Sequence, residues 1–412
     1  MRPEASEWYI GMELGNEWTQ VSRYHRNLPE PETISTIVGT ELYQIPTAIC
    51  KRKATGKWCL GEEASRAAEA GEGAYVDYLL EKALKRESVF LDREYMAEDL
   101  LLVFLRKVFR MALPPQGAEG VEKCVFSIEE VTDGMVALLR DMAARLGFSK
   151  GQVIIQDHRE SFYAYAVCQE PELWQYDSML FSCSGEEIWM KQLVCSKRTK
   201  PKIAEVDEIC LGKLPENVKD WDIAFSRMAQ DAMSGRIVSS VYLIGSGFEG
   251  NWMKESLQVI CRGRRAFQGK NLYTKGACYA GMLAVHQEQA ETVYFCEYKV
   301  QEHILIKASK GDKTYFYPLL EAGCNRHQID KKLRILLEGE PALELWLQKP
   351  GSREAKIESL ELPDLPMEEQ GRCRLLLSLY AGEEGRILLN MQDIGWGDLS
   401  AGSGREWEYE VG

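Results

Sequence analysis

The sequence predicts an α/β protein that ends in a β-sandwich, and three observations support that class. Between residues 122 and 168 strand-like and helix-like patterns alternate, which implies crossover-connected strands covered by helices. Two stretches, Tyr9–Val21 and Asp177–Val194, share one plan of apolar strand, glycine-bearing turn and return strand. From about Thr292 the texture changes to short strands broken by turn signals, with no helical period, over roughly 110 residues.

The chain has 412 residues. Single hydrophobic cores stop growing near roughly 250–300 residues, so two domains are expected, 1–290 and 291–412. A hydrophobic fraction of 45% and a charged fraction of 27% place the chain among globular proteins. The formal charge of −13 argues against a general affinity for nucleic acid or anionic membranes. Arg262, Arg264, Arg265 and Lys270 are a local basic exception, expected to be a solvated loop. No run approaches the roughly 18 apolar residues needed to span a bilayer. The start, Met1 to Glu7, has no apolar signal core, so a cytoplasmic location is expected. The 12 cysteines include no C-x-x-C pair and the five histidines no H-x-x-x-H pair. That pattern suits buried reduced thiols, and neither a zinc site nor a disulfide framework is readable.

In chain order, the opening hairpin is followed by two short strands, Gln44–Cys50 and Lys57–Gly61, around the basic turn Lys51 to Gly56. Glu62–Ala70 has helical composition, and Ala97–Phe109 is apolar on most faces, so it reads as a buried helix closed by Pro114-Pro115. Glu122–Ile128 is a strand, Val131–Leu146 a helix with Gly147 as its cap, Gln152–Ile155 a strand and Arg159–Cys168 a helix. Strands Asp177–Phe181 and Ile188–Val194 flank the turn Ser182–Glu187. Trp221–Met233 is helical. Strand Ser239–Ile244 then runs through Gly245-Ser246-Gly247 into a helix over Trp252–Val259, and Thr274–Val285 is a helix of small residues suited to close packing. Strands are expected at Tyr294–Val300, Ile304–Lys307, Thr314–Tyr317, Lys332–Leu337, Ala342–Gln348, Arg374–Tyr380 and Arg386–Met391, with turns at Lys310-Gly311-Asp312 and Gly382 to Gly385 and a frayed tail after Leu399. Trp346 and Trp396 could line a peptide groove or fill the sandwich core.

The turns carry the candidate chemistry. Glycine lets backbone N–H groups approach an anion, and Glu13, at the end of the first strand, is placed to hold a hydrated metal. The strand, Gly-rich turn and helix around Gly245 would aim a helix N-terminus at an anionic ligand. Each stretch by itself reads equally as an ordinary turn, Glu13 as a surface acid and Asp157 as a helix N-cap. His158, His286, His303 and His327 are isolated from any nucleophile, so no triad is readable.

The order of these motifs resembles the actin-like ATPase superfamily, closest to heat-shock chaperones of the seventy-kilodalton class. Ile10-Gly11-Met12-Glu13-Leu14-Gly15-Asn16 resembles the first phosphate loop, I-G-I-D-L-G-T. Ile154 to Ser161 is similar to I-I-N-E-P-T-A-A, Leu180 to Glu187 to the second loop V-F-D-L-G-G-G-T, and Leu243-Ile244-Gly245-Ser246-Gly247 to L-V-G-G-S. Tyr317 to Gly323, Leu337 to Glu340, Leu362 to Pro366 and Glu383 to Leu388 resemble the peptide-binding β-sandwich. The resemblance implies a two-lobed actin-like (ribonuclease H-like) fold with a reduced second lobe, then a sandwich without a helical lid. It also implies that Gly11, Glu13, Gly15, Asn16, Gly185, Gly245, Ser246 and Gly247 hold ATP or ADP. Glu13 would face Mg²⁺, and Asp157 would order the attacking water.

Departures from the pattern bear on function. Ser182 replaces the second loop's aspartate, and Ser184, Glu186 and Glu187 replace two glycines and the threonine. A carboxylate turned toward a phosphate in a partly desolvated site repels it by a few kcal/mol. Three functions stay open: a degenerate, non-hydrolysing scaffold or regulatory binding protein; an ATP-binding switch acting on a protein or peptide client through the sandwich; and an unrelated enzyme or structural role.

Overall fold

The computed structural model describes residues 7–37, 39–196, 198–286, 291–311, 313–366, 371–382, 385–396 and 401–412. It is a mixed α/β chain with 28% helix and 41% strand. The chain separates into two compact units, Met1–Cys195 with Glu205–Ala290, and Ser196–Ala204 with Glu291–Gly412. Of the residues singled out above, Asp312, Glu383, Glu384, Leu399 and those before Glu7 lie outside the described ones.

The first unit repeats one strand plan. In its first sheet Val153–Asp157 and Val121–Ile128 run parallel to Trp8–Leu14, which turns back through Trp18–His25. In its second, Arg265–Gly269 and Val238–Ile244 run parallel to Asp177–Ser184, which turns back through Glu187–Cys195. Alternation explains the first hairpin: Ile10, Met12 and Leu14 enter one core cluster with Phe126, Ile128 and Ile155, beneath helices Ala97–Ala112 and Asp133–Arg145. Burying each such side chain contributes about 1.5–3 kcal/mol.

The opposite face of that sheet receives helix Leu272–Val285. A Cβ on Gly11 would stand 2.2 Å from the Thr274 carbonyl oxygen, and one on Gly276 would stand 1.9 Å from that of Ser161 in helix His158–Val167. The small residues therefore set how closely the two helices and the sheet approach.

Several boundaries differ from the sequence-based expectation. The second hairpin turns on Gly185-Glu186 alone, because Ser182, Cys183 and Ser184 stay in register with Trp189, Ile188 and Glu187, and Gly185 takes φ +75. The helix after the Gly-rich turn begins at Glu255, not Trp252, because the Asp222 carboxylate accepts the backbone N–H groups of Lys254, Glu255 and Ser256. Arg265 is not in a loop but opens a strand paired with Ser240. Strand Lys202–Lys213, helix Leu79–Leu84 and hairpin Ser88–Phe90 with Glu94–Met96 were not foreseen.

The second unit contains two antiparallel four-stranded sheets. One orders Lys313–Leu320, His303–Lys310, Ala342–Gln348 and Lys356–Glu361; the other orders Asp330–Glu338, Arg372–Ala381, Ile387–Asp393 and Glu406–Glu410. Alternate residues of both, including Ile304, Ile306, Leu345, Leu375, Leu377 and Leu389, share one hydrophobic cluster. The expected strand Tyr294–Val300 stops at Phe295, where the Lys299 N–H turns back to the Cys296 carbonyl. The end of the chain is not frayed: Glu406–Glu410 pairs along Ile387–Asp393. Trp346 alternates with the buried Leu345 and Leu347, so it lies on the face away from that core.

Candidate functional site

The ends of the first sheet's parallel strands bring polar residues into register. Gln20 faces Glu13, Glu13 faces Ser127, and Ser127 faces Gln156, so four polar side chains cross four adjacent strands in one row. All four are buried. Ser127 and Gln156 are tied through Ser161, with Ser127 Oγ 2.7 Å from Ser161 Oγ and Gln156 Nε2 donating to it at 2.8 Å. Gln20 Nε2 donates to the Lys270 carbonyl at 2.8 Å.

Strand Val153–Asp157 ends at Asp157, which is also the N-cap of the next helix. Its Oδ1 accepts the Glu160 N–H at 2.8 Å and its Oδ2 accepts Arg159 Nε at 2.7 Å. The cap turns the next residue, His158, toward Glu13, with Nε2 3.8 Å from Glu13 Oε1. His158 Nε2 has no hydrogen-bond partner among the described residues. The imidazole stacks on Tyr273, with centroids 4.2 Å apart and planes 7° from parallel.

The remaining member comes from the second hairpin. Lys191, 5% exposed, pairs with Glu208 and holds its ammonium 5.6 Å from the centre of the Tyr273 ring. Burial pushes the Glu13 carboxyl up to about 8, against a smaller downward pull from Lys191. Burial, reinforced by the Lys191 charge, holds His158 down at about 3. These shifts favour an uncharged acid beside a neutral imidazole at neutral pH, with the Lys191–Glu208 ion pair next to them.

The glycines named from the sequence are occupied by the fold itself. Gly11 abuts helix Leu272–Val285, and its carbonyl accepts Thr274 Oγ1 at 2.8 Å. The Gly15 N–H closes the hairpin onto the Trp18 carbonyl at 3.1 Å. Asn16 Oδ1 accepts the Glu81 N–H at 2.9 Å and so caps helix Leu79–Leu84. Gly245, at φ +99, would place a Cβ 2.2 Å from the Cys183 carbonyl oxygen, and Gly247 would place one 2.2 Å from Cys183 Sγ. These two glycines let their turn close on the second hairpin, with Ser246 exposed between them. Gly185 is exposed at the hairpin tip with open space around it.

The residues present do not fit a dedicated magnesium site. Among the described residues no three His, Cys, Asp or Glu side chains converge to hold a metal ion. Burial holds the Glu13 carboxyl up at about 8, which favours its uncharged form, whereas a hydrated divalent cation takes ionised oxygen ligands. Sequence reasoning set His158 aside as isolated and missed Lys191, Tyr273 and Glu208. The available signal was a lysine in the middle of the apolar return strand Ile188-Trp189-Met190-Lys191-Gln192-Leu193-Val194.

Residues 30–297 match the C-terminal model of a family of unknown function, DUF5716, and the chain belongs to that family. Residues 299–412 match a domain of unknown function, DUF8552. No curated protein matches the chain. Gly11, Glu13, Gly15 and Asn16 precede the first matched segment.

Proposed function

We propose that residues 1–290 form a two-lobed actin-like domain, related to seventy-kilodalton chaperones and with a reduced second lobe, that works without nucleotide turnover. On this reading residues 291–412 are a β-sandwich that engages a protein or peptide client, and the whole chain is a cytoplasmic scaffold or regulatory binding protein. The repeated plan of the two sheets, each with two parallel strands feeding a hairpin, supports the fold.

One observation carries the functional reading. Glu13, the acid that the resemblance would put opposite Mg²⁺, is buried, protonated and set against His158, while Lys191 supplies the positive charge there. The Lys191 ammonium lies where its field already acts on the acid, the electrostatic role a metal ion would otherwise take, which supports a site that does not depend on a metal. The loop glycines serve packing in the same way.

A thermal-shift titration with ATP and ADP, with and without Mg²⁺, tests this. A ligand that binds only the folded state raises its stability by RT ln(1 + [L]/Kd), about 2.7 kcal/mol at a hundredfold excess over Kd. No shift at millimolar nucleotide is expected. A saturable, magnesium-dependent rise would overturn the reading in favour of an ATP-binding switch.

A further inference from the structure

Strand Lys313–Leu320 forms one edge of its sheet, paired only with His303–Lys310. Such an edge offers unpaired backbone groups to any extended chain. Its far end is closed, since Pro318 lacks an N–H and its carbonyl accepts Lys331 Nζ at 2.9 Å. Lys313 to Tyr317 is the open part.

Two features of this edge go beyond an ordinary guarded one. First, it is adhesive. Tyr315 is 45% exposed and Phe316 48% exposed, successive residues on opposite faces of the open part. Phe316 packs edge-on against Trp346, with centroids 4.9 Å apart. Trp346 belongs to a row in register across the sheet's outer face, Pro318–Leu305–Trp346–Ile357, and Ile357 is 49% exposed. Trp346 Nε1 has no acceptor among the described residues.

Second, the hairpin carries three exposed lysines, Lys307, Lys310 and Lys313, that stand outside the ion pairs among the described residues. Lys310 stands directly opposite Lys313, an arrangement that costs free energy until an anion arrives. Lys307 is paired with Phe316 and shares its face. All this sits on a chain of net charge −13. Lysines alone would protect an edge from self-association; lysines flanking exposed aromatics select for an acidic, partly apolar strand.

We infer that this edge binds an extended acidic segment of a partner protein as an added strand. Its carboxylates would meet Lys310 and Lys313 on one face, and its apolar side chains would meet Phe316 and the Trp346 row on the other, at whose margin Lys307 stands. Main-chain hydrogen bonds supply the affinity in such strand addition and the side chains the selectivity. The inference rests on the proposed role of residues 291–412 as the client-binding part.

The test is fluorescence anisotropy on the full chain with a labelled peptide of alternating Glu and Val, about eight residues long, enough for one strand. Three competitors accompany it: the same peptide with a central proline, its Lys–Val counterpart, and single-stranded oligo-dT. The Glu–Val peptide should bind saturably, and the proline and Lys–Val forms about tenfold or more weaker, since proline breaks the ladder and lysine reverses the charge. The triple variant Lys307→Glu, Lys310→Glu, Lys313→Glu, with an unchanged melting curve because its three side chains are solvent-exposed, and, separately, Phe316→Ala, which also gives up a ring contact with Trp346, should each weaken binding at least about fivefold. Equal binding of the proline peptide, unchanged binding by the triple variant, or tighter binding of oligo-dT would overturn the inference. Repeating the titration with Mg-ATP separates the two proposals. A nucleotide-dependent melting shift removes the nucleotide-free reading whatever the peptide does, whereas no shift and no peptide binding removes only the edge.

Discussion

The Glu13–His158 pair makes the stability of the first unit depend on pH in a form that can be worked out. Glu13 rises from 4.5 to about 8 on folding, so between those values the folded state binds a proton that the unfolded state has lost. Its contribution is complete below pH 4.5 and declines as pH rises toward 8. His158 falls from 6.5 to about 3, so its contribution is complete above pH 6.5 and declines as pH drops toward 3. Each group changes stability by about 1.4 kcal/mol per pH unit within its window. Between pH 4.5 and 6.5 the two slopes oppose and cancel. From pH 6.5 to 8 Glu13 acts alone, and about 2 kcal/mol should be lost. Below pH 4.5 His158 acts alone in the opposite sense. Guanidinium unfolding at pH 5.5, 6.5 and 8, for the wild type and Glu13→Gln, isolates the term. Glutamine keeps the side chain's shape without the titration, so the variant should lack the loss between pH 6.5 and 8. Equal losses in the two proteins, within about 0.5 kcal/mol, the size of an ordinary neutral surface substitution, would refute the argument.

Two further predictions concern packing and capping. Gly276→Ala gains about 1 kcal/mol of helix propensity but forces a methyl to within 1.9 Å of the Ser161 carbonyl oxygen; overpacking should prevail, with a net loss of about 1–2 kcal/mol by thermal melting. In the same helix Gly281→Ala meets its nearest atom, Lys123 Cβ, at 3.1 Å and should cost at least about 1 kcal/mol less. Asp222→Ala removes the acceptor for three N–H groups and should cost about 1–2 kcal/mol. Burial pushes the Asp222 carboxyl up, but the Ser256 hydroxyl and the three N–H groups outweigh it and hold it at about 2. The wild type's advantage over the variant should therefore persist to about pH 4 and fade below it.

Much of the fold was legible in the sequence because its elements are long and regular. Trp221–Met233 and Ala342–Gln348 have the bounds that their apolar spacing predicts. What stayed hidden was short, charged or set by distant partners. Lys202–Lys213 does alternate, with Ala204 and Val206 buried and Glu205 and Asp207 exposed, but its run of acids hides the period. Glu406-Trp407-Glu408-Tyr409-Glu410 alternates strictly, yet it follows a Gly-Ser stretch that reads as a tail. The stretch between Gly73 and Met96 turns on Tyr78 and Arg86 at positive φ, a conformation no local signal announces for these residues. The site was half legible for a related reason. Glu13 and Asp157 stand in recognisable motifs, whereas Lys191 and Tyr273 reach them only through pairing and packing between residues far apart in the chain.

The glycines explain why the motif and its chemistry need not travel together. A phosphate loop requires glycine so that backbone can approach a ligand, but close approach of backbone to backbone imposes the same requirement. Gly11, Gly245 and Gly276 each have a carbonyl oxygen within about 2 Å of where a Cβ would sit, and Gly247 has the Cys183 sulfur there. Any of these glycines would be held by the fold after a nucleotide had ceased to bind. Ser182, Ser184, Glu186 and Glu187 are not held by such a contact, and there, as at Glu13 where the resembled loop has aspartate, this chain departs from the pattern it resembles. Where packing and ligand ask for the same residue, the residue says nothing about the ligand. The informative positions are the polar ones, and here they bring a buried acid with a raised pKa, a buried imidazole with a lowered one and a paired lysine together.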